Sequence, residues 1–102
     1  MLNDMEAAAE AHAAARGRLV YMQERRKILK NMLMAVAEAT GERTQTRQER
    51  YAYTNPQYTT HIEQLRAAVE DEAYKAGKVK LCEARWESWR SLNASVRAAA
   101  RG

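Results

Sequence analysis

Phenylalanine is absent, proline and cysteine occur once each, and only four glycines are spread over 102 residues. So little turn chemistry excludes a loop-rich sandwich, a collagen-like repeat or a low-complexity linker. A lone cysteine, Cys82, makes no internal disulfide, which removes the disulfide scaffold as well. No run approaches the 18 or so apolar residues that a membrane span needs, because Arg, Lys or Glu recurs every few positions. Without a secretory apolar stretch at the N-terminus, the expected compartment is a reducing cytoplasm. Large aliphatics are scarce too. Leu, Ile and Val together number 14, which puts the chain near the composition at which a core fails to form.

What is present is helix-forming. Alanine supplies 20 residues, and Glu, Arg, Lys, Gln and Met, which lose little side-chain freedom in a helix, supply much of the rest. The length fits one domain, and the composition predicts an all-α fold. Net charge is only +4, which keeps the chain on the folded side of that border.

Along the chain, residues 3–40 read as a first helix, interrupted only by Gly17. Leu19, Met22, Arg26, Leu29, Leu33, Val36 and Thr40 recur at three- and four-residue steps, with Ile28, Met32 and Ala35 widening the stripe. Gly41 stands where a left-handed residue ends a helix. The connection 41–55 is polar, but Thr46 and Glu49 have the spacing of a capping box, so a short helical turn is expected through Arg50 to Ala52. Thr54-Asn55-Pro56 combines a cap oxygen with a proline preset for the first turn, and a second long helix is predicted over 56–99. In it Ile62, Leu65, Val69, Glu72, Ala76 and Val79 follow a heptad seam, which continues after a three-residue step as Cys82, Trp86, Trp89, Asn93 and Val96. Whether Gly17 and Gly77 break their helices, and whether the Ala-rich first sixteen residues are ordered, is open at this level.

Two such helices make a long antiparallel hairpin, or a bent three-helix arrangement. Either buries little, since the seams contain Glu72, Asn93 and many alanines. Pairing of hairpins into a helical bundle, most simply a homodimer, is the expected remedy. Ile28, Met32, Tyr74, Leu81, Trp86 and Trp89 are the candidate interface, with the two indoles as anchors.

Chemistry-bearing clusters are few. His12, His61 and Cys82 have no partners at metal-ligand spacing, so no metal site is expected, and solvated histidines with a buried cysteine are the plain expectation. There is no glycine-rich phosphate loop and no nucleophile–base constellation; neither a cofactor nor an enzymatic activity is expected. Basic residues mixed with aromatics are the remaining signal. Arg43, Arg47 and Arg50 run directly into Tyr51, Tyr53 and Tyr58, a mixture suited to single-stranded nucleic acid, in which arginines neutralise phosphates and tyrosine faces stack on bases. The same tyrosines would also serve simply to close the end of a hairpin.

Arg47-Gln48-Glu49-Arg50-Tyr51-Ala52-Tyr53, then Pro56, Tyr58, His61, Ile62, Leu65, Ala68 and Val69, and finally Arg85-Trp86-Glu87-Ser88-Trp89-Arg90-Ser91, resemble a group of short helical proteins of bacteriophage and prophage genomes. The resemblance covers the last half to two thirds of the chain. It implies a phage origin, the cytoplasm of a bacterial host, and a place among accessory proteins of DNA recombination or host takeover. It transfers no catalytic residue. The expected function is thus a non-enzymatic, oligomeric helical protein contacting single-stranded nucleic acid or a recombination protein. The alternative is an adaptor or inhibitor that docks on a host or phage protein without touching nucleic acid.

Overall fold

A computed structural model describes residues 2–101. Three helices follow one another, α1 (Leu2–Ala39), α2 (Gln45–Thr54) and α3 (Pro56–Arg101), and the described residues form no strand. At 1.5 Å per residue α1 is about 57 Å long and α3 about 69 Å. The whole molecule measures 84 × 19 × 16 Å, a section with room for two helices.

The order of contacts fixes the topology. His12 of α1 meets Glu72, Met22 meets His61, and Lys30 meets Tyr53 and Glu49, so the partner number falls as the α1 number rises. The chain is therefore an antiparallel hairpin, and α2 and α3 lie end to end as its return arm. The last third of α1 packs on α2 and the rest on α3. Gly17 and Gly77 interrupt nothing, and the Ala-rich opening is helical.

Each helix end has a local cause. After α1 the Glu42 amide donates to the Ala37 carbonyl at 3.0 Å and the Gly41 amide to Glu38 at 3.1 Å, the paired bonds of a Schellman stop around Gly41 at φ 110°. The expected capping box at Thr46 is not formed. Thr44 caps α2 instead, its hydroxyl accepting from the Arg47 amide at 3.2 Å, while Glu49 turns to the Gln45 side chain and Lys30. The short helix is correspondingly longer than the sequence suggested. Asn55 ends α2 and caps α3: its Oδ1 accepts from the Gln57 amide at 2.9 Å, with Pro56 in the first turn, where a missing N–H is harmless. Asn55→Ala is expected to cost about 1 kcal/mol, read as a lower urea midpoint at unchanged slope.

Four of the six buried residues among those described are alanine. Ala15, Leu33 and Ala37 on α1, Ala52 on α2, and His61 and Ala68 on α3 are covered. The seam thus passes one residue away from the expected Val36 and Val69, which are each 46% exposed, and uses Ala37 and Ala68. An alanine at the contact lets two helix backbones approach closely, which a valine prevents. Leu19, Met22, Arg26, Leu29, Ile62, Leu65 and Val79 are half-buried as their spacing predicts.

Two further expectations are corrected. His61 is not solvated: its Nε2 lies 2.9 Å from the Met22 carbonyl across the hairpin. His12 reaches the Glu72 carboxylate at 2.8 Å, which gives that polar seam position an interhelical partner. Cys82 is half-buried rather than fully enclosed.

Candidate nucleic-acid interface at the hairpin tip

The tip comprises the end of α1, the turn and α2. Thr44 starts α2 in a register that turns Ala52, wholly covered, toward α1. Positions three and four apart on the opposite face then share the outside. Arg47, Arg50, Tyr51 and Thr54 occupy it and, with Glu42, line an open concavity.

Among the described residues Arg43, Arg47 and Arg50 form no ion pair. Nearby Glu49 is engaged by Gln45 and by Lys30, 4.0 Å away, which leaves the outer face cationic. Tyr51 stands among these arginines, 36% exposed.

The other two tyrosines are placed differently. Tyr53 and Tyr58 meet edge to face, ring centroids 5.4 Å apart, across the α2–α3 junction. The Lys30 ammonium sits 5.1 Å from the Tyr53 ring centroid. The Tyr53 phenol above all, with help from Glu49 and Tyr58, holds the Lys30 pKa above the ordinary lysine value. The Lys30 ammonium, between the Tyr53 ring and the Glu49 carboxylate, fastens α1 to the return arm. The sequence-level cluster splits in two: Arg47, Arg50 and Tyr51 share an outer face, with Arg43 exposed just before the cap, while Tyr53 and Tyr58 close the hairpin with Lys30. That Lys30 joins this end could have been found only by knowing the register, since it lies 23 positions from Tyr53.

The candidate interface residues lie elsewhere. Ile28 and Met32 are exposed on the tip half of α1; Tyr74 and Leu81 are exposed on α3. Trp86 is half-buried and stacks on the more exposed Trp89 with ring centroids 5.3 Å apart. Two groups of exposed apolar side chains thus lie toward opposite ends of the rod. Among the described residues no three His, Cys, Asp or Glu side chains gather in a way that could hold a metal ion. No described helix is long and apolar enough to cross a membrane.

No protein-family model, curated protein or solved structure matches this chain. The fold defines it as an extended antiparallel helical hairpin.

Proposed function

We propose that this hairpin is a non-enzymatic, oligomeric accessory protein that contacts single-stranded nucleic acid, or a recombination protein that carries it, through the outer face of its tip. Arg43, Arg47 and Arg50 neutralise phosphates in this reading, and Tyr51 stacks on a base. The observation that carries it is the concavity in which two arginines, in no ion pair among the described residues, share a wall with an accessible tyrosine and Glu42. Tyr53, although 47% exposed, is engaged by Lys30 and Tyr58, and in this reading Tyr53 and Tyr58 hold the tip in shape. The phage DNA setting rests on the sequence resemblance alone.

The test is binding of a labelled oligonucleotide over a salt series. Each phosphate contact removed by Arg47→Ala or Arg50→Ala is expected to shrink the log–log salt slope by about 0.7. Tyr51→Ala should weaken binding with little change of slope, at about 1–3 kcal/mol per stacked base. Absence of binding at low salt removes the proposal.

The second reading is a protein-docking adaptor or inhibitor. It is favoured by the exposed stripe of Tyr21, Ile28, Met32 and Val36 on α1, side chains that share one face by their spacing. A stoichiometric partner retained through nuclease and high salt, and lost with Ile28→Asp and Met32→Asp, would select it.

A further inference from the structure

The end of the rod opposite the tip is unfinished. Leu2 and Asn3 of α1 reach the level of Trp86 and Trp89 on α3. Beyond that level α3 continues to Arg101, and every described residue from Ala94 onward is exposed. Roughly a dozen residues, about 18 Å of helix, project with nothing beside them among the described residues. This projection is not polar all round. Leu81, Trp89, Leu92 and Val96 are 49%, 47%, 65% and 58% exposed. With Arg85 between the first two they fall at steps of four, four, three and four, which is one continuous face of α3.

Beside the body of the rod runs a complementary trough. Ala7, Ala8 and Ala11 of α1 face Leu81 and Cys82 of α3 across an open, mainly apolar groove, with Asp4 at its rim. Small residues on one wall leave room for large ones to enter. Charge is complementary as well. Residues 88–101 contain Arg90, Arg97 and Arg101 and no carboxylate, whereas residues 2–15 contain Asp4, Glu6 and Glu10 and no Lys or Arg. Among the described residues Asp4, Glu6, Glu10, Arg97 and Arg101 form no ion pair. Asp4 and Glu10, each three residues from Ala7, supply an acidic edge on the α1 side, while Lys78 and Arg85 line the α3 side.

We propose that the projecting end of α3 docks in the Ala7/Ala8/Ala11 groove of a second copy of this chain, reciprocally, to form an end-to-end twofold dimer. Antiparallel α3 helices then cross at Trp86 and Trp89, so the stacked indoles lie at the dyad, where binding energy concentrates in an interface. Leu92 meets the partner's Leu81, Val96 enters its alanine wall, and Arg97 reaches its Glu10. One surface serves both subunits, as an isologous contact requires. The apolar side chains alone bring the buried area to on the order of 1,000 Å², the lower bound for a stable assembly. The two arginine–tyrosine tips end up at opposite poles of a rod roughly 130 Å long, both free. The inference rests on the oligomeric part of the function proposed above and is independent of its nucleic-acid part.

Light scattering with small-angle scattering on the full chain at tens of micromolar should give a dimer mass and that length, against 84 Å for one hairpin. Glu6→Lys with Glu10→Lys, and separately Arg97→Glu with Arg101→Glu, should each weaken association about tenfold or more through like-charge contacts. Mixed in equal amounts, the two variants should recover the dimer, since every contact in the mixed pair is again attractive. All four substitutions lie on exposed helix surface, and circular dichroism checks that each variant remains helical. A dimer that survives both variants and Leu92→Glu refutes this interface while leaving oligomerisation intact. A monomer refutes both. Oligonucleotide binding lost in Arg97→Glu with Arg101→Glu, with a monomeric wild type, would make the projection a nucleic-acid surface instead.

Discussion

Leucine at Ala37 or Ala52 is expected to lower the melting temperature by roughly 4–24 °C. Both alanines are 0% exposed where α1 and α2 touch. Leucine adds a branched three-carbon extension at a contact that has no space for it, and overpacking of this kind costs about 1–3 kcal/mol. For a domain of this size each kcal/mol moves Tm by about 4–8 °C. The only local relief is to lift α2 from α1, so oligonucleotide binding at the tip should weaken although no contacting residue has changed. Val36→Ala is the matched control. Its side chain is half in solvent, and the substitution should stay within about 0.5 kcal/mol. Thermal melts of the three variants decide between two seams: tolerated leucines with a costly Val36→Ala would restore the valine seam that the heptad spacing suggested.

That contrast shows why the seam was only partly legible. Spacing of large residues located the covered face of α1 correctly at Leu19, Met22, Leu29 and Leu33. Beyond Leu33 the next candidates are Val36 and Ala37, one step apart, and the pattern prefers the larger. The structure prefers the smaller, because helices that meet at alanines come close and gain contact along the backbone. Val69 and Ala68 repeat the same choice. With alanine forming so much of the apolar composition, side-chain size alone loses its power to point inward.

Helix ends were more readable, since their causes are local. Gly41 and Asn55-Pro56 carry their chemistry within three or four residues, and both act as their types imply. Thr44 and Thr46 compete for one role; Glu49 three residues on favours Thr46 locally, and what overrides it is tertiary. Starting at Thr44 turns Ala52 toward α1 and lets the Gln48 side chain donate to the Glu42 carbonyl at 2.9 Å. The arginines and tyrosines of the tip were visible as a composition, but their division into an outer face and a hairpin clasp follows from that same register. His61 left no sequence signal, because its partner is a backbone carbonyl 39 positions away.

Gly41→Val should cost about 1–3 kcal/mol, the range for a residue forced into a sparsely populated backbone region. A Cβ built at Gly41 meets nothing within 4 Å, so the penalty carries no clash and comes from the φ of 110° itself. Escape from that conformation has a definite path. The Glu42 amide leaves the Ala37 carbonyl, the Glu42 carbonyl then moves away from Gln48, and the start of α2 slips relative to α1. Gly41→Asn should cost less than the β-branched valine, since asparagine tolerates positive φ better than other non-glycine residues. Urea midpoints in the order glycine, asparagine, valine, at constant slope, are the expected result. Equal midpoints for glycine and valine would mean that the turn reaches a negative-φ alternative without strain, and the stop of α1 would then have to be attributed to Thr40 and the polar residues after it. Because the turn lies some 45 positions from the tryptophans, these substitutions should leave the association state unchanged while they loosen the arginine-bearing end.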